Sequence, residues 1–416
     1  KYVEMEGLRQ AYYEAGPADA DETILLLHGE PTWSYLYRKM IPVLADAGHR
    51  VIAMDHLGMG RSDKPIDIDY YSFQDHVERL ETFITELELE QGNLTIFSQD
   101  WGHVIGMYVV GTNPEWFDRV VAGNGILPFL PASADPIPYA EDIEASNAAY
   151  HESLLATPDQ QPAYYDEDGN LIVEQYGGSN DGWAAWMTYA MFYEDLDIGQ
   201  FVEVHTYFPI SAEEEAAYSA PFPSEITMAG ARSFPSLVND TFGVTLEAWA
   251  NLREFEKPFL TIWGGNDPNN AGLPRNQNLY INSVPGAEGW DHVRLPEAGH
   301  YLQDDQGEDI ARRMNEFIAQ TPITEAASEA GEAPTGLREA TIPAIEQTQF
   351  MPQPDDLRDF RYCEVLTVVP GDDGFHVLWK IVGMHQFLDD ATTHFQYFFR
   401  GVAEGLDNPF VAVHVL

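Results

Sequence analysis

The first 127 residues alternate between short apolar runs and amphipathic stretches, and this alternation constrains the fold more than any other feature of the chain. The predicted strands are residues 23–28, 50–54, 93–97, 119–122, 259–263 and 292–295. The predicted helices are residues 34–47, 72–89, the stretch after Gly102, 246–255 and 305–318. Strands that alternate with helices form a mostly parallel sheet with helices on both faces. The sequence therefore predicts an α/β fold.

Residues 128–245 interrupt this alternation. They are rich in Tyr, Trp, Pro and Asp and contain helical stretches without a strand–helix rhythm. An insertion between two strands of a parallel sheet lies over the carboxyl ends of the strands, where such sheets bind ligands. We therefore expect a core of residues 1–127 and 246–320 and a mainly helical cap domain of residues 128–245.

The composition changes again after residue 320. Residues 321–354 begin with small, acidic and proline residues, which predicts an acidic linker. Residues 355–416 form a predicted small α+β segment with a hairpin (362–369 and 375–382), a helical stretch (394–406) and an apolar end. No motif in this segment identifies its role, and a binding module is one interpretation of it.

The charge balance is extreme, because the chain contains 68 acidic and 21 basic residues and has a net charge of −47. Such a chain repels nucleic acid and anionic membrane surfaces, so neither is an expected partner. The acidic residues are spread along the chain and do not cluster at metal-ligand spacing, so no metal site is predicted. A solvated acidic surface, as in proteins from salty environments, is the interpretation that we favour.

Three further observations bear on location and assembly. No run of 18 apolar residues occurs, so no membrane span is expected. Cys363 is the single cysteine, which excludes an internal disulfide and a cysteine-based zinc site. Residues 1–7 lack the apolar core of a signal peptide, although a leader removed before Lys1 would not be present in this sequence. We expect a cytoplasmic protein, with secretion left open, and a monomeric core.

The segment Ser98-Gln99-Asp100-Trp101-Gly102 follows a predicted strand and opens a helix. Small residues two before and two after a central side chain are typical of the tight turn that presents a nucleophile. Here the central residue is Asp100, and a carboxylate that displaces a leaving group from carbon forms an alkyl ester that water must hydrolyse. The alternative is an ordinary aspartate that caps the helix N-terminus.

Two further segments supply the groups that hydrolysis of such an ester needs. His28-Gly29-Glu30-Pro31 follows the first predicted strand, so the backbone N–H groups of Glu30 and Trp101 would form an oxyanion hole. His300 follows the last predicted strand and would act as the general base for water. Asp267 follows the strand before it and would orient the imidazole. The order nucleophile, acid, histidine is that of the α/β-hydrolase fold.

These residues resemble the haloalkane dehalogenase family, in particular its subfamily with two halide-binding tryptophans. The resemblance covers about residues 1–320, and its strongest blocks are 28–48, 50–65, 99–102, 181–186 and 216–225. It implies that Trp101 and Trp186 hold the leaving halide through their indole N–H groups, which donate and do not accept hydrogen bonds. Trp183 lies close to Trp186 in the sequence, and either of these two tryptophans could be ordinary core packing.

The resemblance also separates the subfamilies by their catalytic acid. A sister subfamily places a glutamate after the strand of residues 119–122, but residues 123–128 (GNGILP) contain no acid, so Asp267 keeps that role. Glu30 acts either through its side chain, which would position water, or through its backbone alone. His103 stands where relatives commonly have glycine, and we interpret it as a packed helical side chain.

The expected activity is hydrolysis of a haloalkane to an alcohol, halide and a proton, without cofactor or metal. An epoxide hydrolase with the same Asp-His-Asp triad is the main alternative, and it would use the cap tyrosines 164, 165, 189 and 193 as acids. A haloacid dehalogenase would need arginines to bind a carboxylate, and the cap contains only Arg232. A non-catalytic binding protein is disfavoured because Asp100 and His300 are both present.

Overall fold

The computed structural model describes residues 1–154, 180–267 and 269–322, together with the strands of residues 361–371, 374–384, 398–400 and 411–414. The chain divides into two compact units, Lys1–Ala330 and Gly331–Leu416. Neither the predicted linker beyond Pro322 nor residues 155–179 of the cap lie among the described residues.

The first unit is built on an eight-stranded sheet with the order β1-β2-β4-β3-β5-β6-β7-β8. The strands are β1 (Tyr2–Met5), β2 (Leu8–Ala15), β3 (Thr23–Leu27), β4 (Arg50–Met54), β5 (Leu94–Ser98), β6 (Arg119–Ala122), β7 (Phe259–Gly264) and β8 (Val293–Leu295). Strands β3 to β8 run parallel, whereas β2 pairs antiparallel with both β1 and β4. The predicted α/β class and mostly parallel sheet are confirmed.

The core helices are α1 (Met40–Asp46), α2 (Phe73–Glu86), α3 (Asp100–Thr112), α9 (Leu246–Leu252), α10 (Pro274–Ser283) and α11 (Leu302–Gln320). They cover both faces of the sheet, as β3 shows most clearly. Leu25 and Leu27 pack in a cluster with α2, α3 and α9, whereas Ile24 and Leu26 pack in a second cluster with α1 and α11. Because successive strand residues point to opposite faces, an entirely apolar strand requires this two-sided cover.

Two elements differ from the sequence-based predictions. The predicted helix of residues 34–47 divides into a 3-10 turn, Ser34–Tyr37, and α1. Pro42 explains the division, because a continuous helix would need its missing N–H and would place its ring against the carbonyl of Arg38. The hairpin β1–β2 was not predicted, although its turn residues Glu6 and Gly7 both have the positive φ of a tight hairpin turn.

The described residues of the insertion 128–245 contain helices joined by irregular segments, and no strand. Its α-helices are α4 (Ile143–Leu154), α5 (Asn180–Phe192), α6 (Ile198–His205), α7 (Ala212–Ser219) and α8 (Ala229–Ser233). We call this insertion the cap, and its boundaries stay a prediction. Within the described residues, no helix has both the length and the apolar character needed to span a bilayer.

The second unit contains a four-stranded antiparallel sheet with the order β11-β12-β10-β9. Its strands are β9 (Arg361–Gly371), β10 (Gly374–Met384), β11 (Phe398–Arg400) and β12 (Val411–His414). The predicted hairpin is present as β9–β10. The predicted helical stretch of residues 394–406 is wrong at 398–400, because β11 pairs there with β12. Aromatic residues favour strands, and pairing with β12 overrides the helical spacing. The rest of that stretch lies outside the described residues.

Candidate active site

Asp100 occupies a strained turn between β5 and α3. Its φ is +53°, which is rare for a residue with a side chain. Neighbouring glycines make the turn possible, because a Cβ on Gly29 would lie 2.3 Å from Asp100 Cβ and one on Gly102 would lie 2.3 Å from the oxygen of Leu27. Strain of this kind concentrates at functional sites. The local sequence thus presents one carboxylate at the carboxyl edge of the sheet.

The alternative of a helix-capping aspartate does not fit the geometry. The N-cap residue of α3 is Gln99, and Asp100 is the first residue inside the helix. The Asp100 carboxylate accepts a hydrogen bond through Oδ1 from the backbone N–H of Glu30, at 2.8 Å, rather than from the first turn of its own helix. The Asp100 N–H donates to the carbonyl oxygen of Asn124, at 2.7 Å. Asp100 is therefore held by two other sheet-edge loops.

His300 lies in the loop between β8 and α11 and faces Asp100. Its Nε2 is 3.4 Å from Asp100 Oδ2, and its Nδ1 is 2.9 Å from Asp267 Oδ2. All three side chains are at most 15% exposed. The structure therefore brings the predicted nucleophile, base and acid together, with the imidazole between two carboxylates.

The charge state of His300 follows from this position. Burial favours the neutral imidazole, but Asp267 and Asp100 outweigh burial and raise the pKa of His300 to about 10. The imidazole is therefore protonated at neutral pH. Removing the charge of either carboxylate would lower the pKa of His300 and allow it to act as a base.

Asp267 is fixed by a set of hydrogen bonds that the sequence did not reveal. Its Oδ2 accepts from Asn124 Nδ2 at 2.7 Å, and its Oδ1 accepts from the N–H of Asn269 at 2.8 Å. Asn124 Oδ1 in turn accepts from the N–H of Gly264 at 2.7 Å. Asn124 follows β6, where the sister subfamily has its glutamate. Its location at a strand end was the one feature of the sequence that could have indicated this role. An amide there ties the ends of β6 and β7 together.

The Glu30 side chain is buried, with only 3% of the residue exposed. Burial, reinforced by the nearby charge of Asp100, raises the pKa of Glu30 well above its usual range. Its Oε1 has no hydrogen-bond partner among the described residues. Burial and the Asp100 charge therefore favour the neutral form of the Glu30 side chain, and its backbone N–H is already engaged with Asp100.

The two candidate halide-binding tryptophans occupy different parts of the site. Trp101 is the residue after the nucleophile, and its ring lies edge-on to Phe234 at 5.7 Å. Trp186 on α5 stacks on Phe201, with ring centroids 4.4 Å apart. Phe201 in turn contacts His205, whose ring lies 6.4 Å from that of His300. Trp186 is thus connected to the triad through two aromatic residues of the cap.

Trp183 differs from Trp186 in what its indole N–H does. Trp183 Nε1 donates to the carbonyl oxygen of Pro235 at 3.1 Å. Within the described part of the chain, Trp186 Nε1 has no such acceptor, and Trp186 is the more deeply buried of the two. The structure therefore assigns Trp183 a packing role and leaves the N–H of Trp186 available for a ligand.

Two of the groups that other activities would need, Tyr189 and Arg232, are engaged elsewhere. Tyr189 Oη bonds to His151 Nδ1 at 3.0 Å, and the Tyr189 ring stacks on that of Tyr193 at 4.4 Å. Arg232 donates to the carbonyl oxygens of Ala190 and Tyr193 at the end of α5. The predicted tyrosines 164 and 165 lie outside the described residues. Among the residues described, no group of three or more His, Cys, Asp or Glu side chains is placed to hold a metal ion.

His103 shows the packing role predicted for it. It is fully buried on α3, and its Nε2 lies 2.7 Å from the hydroxyl of Tyr280. Burial lowers the pKa of His103 to about 3, so the ring is neutral. Among the described residues its side chain makes no hydrogen bond to Asp100 or His300, in agreement with a structural role.

The sheet, the strained turn at Asp100 and the triad define an α/β-hydrolase, and the family model for the alpha/beta hydrolase fold matches residues 22–150. The chain is 36% identical to a haloalkane dehalogenase of Psychrobacter cryohalolentis over 320 residues, which cover 76% of this chain and 89% of that protein. It is 37% identical to a haloalkane dehalogenase of Mycolicibacterium paratuberculosis over 312 residues, 74% of this chain and 86% of that one. The chain belongs to the haloalkane dehalogenase family, as its motifs predicted.

Solved structures agree with this assignment. The tetrameric haloalkane dehalogenase DpaA from Paraglaciecola agarilytica superposes with a TM-score of 0.58 at 28% identity, over 75% of this chain and 90% of that one. The haloalkane dehalogenase DbeA from Bradyrhizobium elkani has a TM-score of 0.57 at 25% identity, over 79% of this chain and 98% of that one. The matched share of this chain is close to the length of the first compact unit.

Proposed function

We propose that this enzyme hydrolyses haloalkanes through an alkyl ester on Asp100. The observation that carries the proposal is the placement of the Asp100 carboxylate between the Glu30 N–H and His300 Nε2. An ionised carboxylate needs no base to attack carbon. One Asp100 oxygen forms a bond to the substrate carbon while the carbon–halogen bond breaks, and the halide leaves with the electron pair.

The halide departs into a dry, aromatic environment. Trp101 and Trp186 are 3% and 8% exposed, and each indole N–H is a donor that can stabilise the developing negative charge. Donors aimed at charge that appears only in the transition state accelerate the reaction more than donors that bind the neutral substrate. We therefore assign both tryptophans to halide binding, which is the arrangement of the two-tryptophan subfamily.

The second half of the reaction begins with the loss of the Asp100 charge. Because the ester is neutral, the pKa of His300 falls, and His300 releases the proton that the overall reaction produces. The neutral imidazole then takes a proton from water, and the resulting hydroxide attacks the ester carbonyl carbon. Collapse of the intermediate expels the alcohol oxygen, which takes the carboxylic acid proton, so Asp100 returns to its carboxylate and His300 to its imidazolium.

The oxyanion of this step needs donors that are already in position. In the resting enzyme the Glu30 N–H points at Asp100 Oδ1, so it can bind the carbonyl oxygen of the ester as charge develops there. The Trp101 N–H at the start of α3 is the second donor that we assign. The neutral Glu30 side chain beside Asp100 is suited to hold the attacking water, because a carboxylic acid both donates and accepts hydrogen bonds.

The test is halide release from 1,2-dibromoethane and 1-bromobutane beside an assay with styrene oxide. We expect stoichiometric halide and alcohol with both bromides and no diol from the epoxide. The epoxide reaction needs free hydroxyl donors, and the hydroxyl of Tyr189 is already hydrogen-bonded to His151. Diol formation without halide release would contradict the proposal.

We further propose that the core is a monomer, because the net charge of −47 opposes association of identical chains. Light scattering after gel filtration in 0.15 M salt should give the mass of one chain. A mass four times larger would instead match the assembly named for the Paraglaciecola relative. The cytoplasmic location stays a prediction.

A further inference from the structure

The loop that carries the catalytic histidine is held from outside by the cap. The backbone N–H of His300 donates to the carbonyl oxygen of His205, the last residue of α6, at 2.9 Å. The fit is close at the preceding residue, because a Cβ on Gly299 would lie 2.5 Å from the oxygen of His205 and 3.0 Å from the nitrogen of Tyr207. The position of His300 therefore depends on the cap backbone as well as on Asp267.

One carboxylate joins the two segments. Asp305, in the first turn of α11, accepts from the N–H of Gly299 through Oδ2 at 2.9 Å. The same carboxylate accepts from the N–H groups of Tyr207 and Phe208 at 2.9 Å. Among the described residues, no Lys, Arg or His side chain lies within ion-pair distance of Asp305. Its hydrogen bonds therefore come from two backbone segments, one in the cap and one in the catalytic loop.

We infer that Asp305 is a positioning residue for the hydrolytic half of the reaction, a role that rests on the proposed function. It acts through Gly299 by fixing the His300 loop against the cap, so that Nε2 faces the attacking water. Asp100 is held separately by Glu30 and Asn124. Loss of the Asp305 anchor should therefore slow hydrolysis of the ester and leave its formation unchanged.

The charge state of Asp305 makes this role sensitive to pH. Burial, together with the charge of Asp304, raises its pKa to about 6 against the opposing effect of its three backbone donors. The titratable and charged groups around it come from three places. On the core side is Asp304 with its partners Arg38, Lys39 and Tyr218. The cap contributes His205 and Tyr207, and the catalytic loop contributes His300. Protonation turns an acceptor oxygen into a donor that faces N–H groups, so the anchor weakens as the pH falls through about 6.

The experiment separates the two chemical steps in Asp305→Asn and in a matched control, Glu308→Gln. Glu308 lies three residues further along α11 and is exposed, so the control removes the same charge from the same helix. Rapid quenching with 1-bromobutane, followed by intact mass, gives the rates of ester formation and ester hydrolysis. We expect Asp305→Asn to form the ester within about twofold of the wild-type rate and to hydrolyse it at least about tenfold more slowly.

Two further readouts separate positioning from general stability. The ester should accumulate in steady state only in Asp305→Asn, and its hydrolysis rate should lose the acidic limb near pH 6 that wild type and Glu308→Gln retain. Equal slowing of both steps, or an unchanged ratio of the two rates, overturns the role of Asp305. If Asp305→Asn does not fold, Asp305→Glu tests the role by the ratio of the two rates alone, because its longer side chain displaces the loop but keeps a titratable carboxylate.

A parallel sample of His300→Phe distinguishes this inference from the function on which it rests. Absence of an ester in folded His300→Phe would count against the proposed function itself. An ester in His300→Phe together with an unaltered ratio of rates in Asp305→Asn would overturn the role of Asp305 alone.

Discussion

The core and the cap carry similar net charge but hold it in different ways. Residues 1–127 and 246–320 contain 33 acidic and 15 basic residues, whereas residues 128–245 contain 20 acidic residues and one basic residue, Arg232. Acidic side chains of the core are often paired, as in Glu22–Arg119 and Asp304–Arg38. Within the described residues, only Glu214 and Glu225 of the cap reach an Arg or Lys partner.

This difference separates two tasks. The core needs fixed positions for Asp100, His300 and Asp267, and buried polar contacts supply them because each is hydrogen-bonded on several sides. The cap is held to the core by aromatic packing and a few directed bonds, while its unpaired acids repel one another. We expect changes in the core site to abolish chemistry and changes in the cap to adjust binding, stability and salt response.

The largest expected effect is in the core, at Asp267. Asp267→Asn removes the carboxylate that orients His300 and supports its positive charge, so kcat should fall by roughly 10⁴-fold, as for the equivalent change in other triads. Asp291→Asn, an exposed change at the amino end of β8, should leave kcat unaltered. Steady-state halide release measures both, and a loss smaller than about tenfold in Asp267→Asn would show that the negative charge of Asp267 is not needed for catalysis.

The cap contributes the next effect through its two tryptophans. Trp186→Phe removes an N–H that we assign to halide, and loss of a hydrogen bond to a charged group costs about 1.5–3 kcal/mol, or roughly 10- to 150-fold in kcat/KM. Trp183→Phe removes only the bond to Pro235 and should lower Tm while kcat/KM stays within about threefold. The reverse pattern, with Trp183→Phe the more damaging to kcat/KM, would exchange the roles of the two side chains.

Salt provides a test of the charge comparison itself. The Debye length falls from about 10 Å at 0.1 M salt to about 3 Å at 1 M, so molar KCl screens the unpaired acids of the cap. Tm should rise with KCl, and hydrogen exchange should show added protection mainly in α4 to α7 rather than in β3 to β7. A Tm that does not change with KCl, or equal protection in both regions, would contradict the hypothesis that the acidity is adapted to high salt.

The smallest effect concerns a direct link between the regions. Hydrogen bonds from Ser211 and Arg38 lower the pKa of Glu214 to about 2. A lowered carboxyl pKa contributes stability above the ordinary value, near 4.5, that is lost as the pH falls towards 2. Glu214→Gln should therefore lower Tm at pH 7 by at most about 3 °C, and the difference from wild type should vanish near pH 2. The neighbouring exposed change Glu213→Gln should have no effect at either pH, and a difference that persists in acid would argue against the ion pair.

The sequence predicts the core site well because its signals are local. The positive φ of Asp100 requires small neighbours, and Ser98 and Gly102 stand at the expected spacing. Each predicted triad residue follows a strand, and parallel strands bring such residues to one edge. The spacing of these motifs therefore predicts that the triad side chains lie together, without information from the rest of the chain.

The groups that the sequence did not reveal act through contacts between distant segments. Asn124 and Asp267 are 143 positions apart, and Asp305 holds the backbone of Tyr207, 98 positions away. An isolated Asn or Asp carries no local pattern for such a role. Likewise, Trp183 is distinguished from Trp186 by the acceptor of its N–H, Pro235, which lies 52 positions away in the sequence. The tertiary structure is needed to choose among chemically equal residues.

The central claim is that Asp100 carries the alkyl group and His300 removes it, and one measurement tests both parts. His300→Phe should be incubated with 1-bromobutane and its intact mass compared with that of Asp100→Asn treated in the same way. We predict the added mass of one butyl group in His300→Phe, located on the peptide that contains Asp100, and no addition in Asp100→Asn. An unmodified His300→Phe protein, shown to be folded by its circular dichroism, would contradict the covalent mechanism.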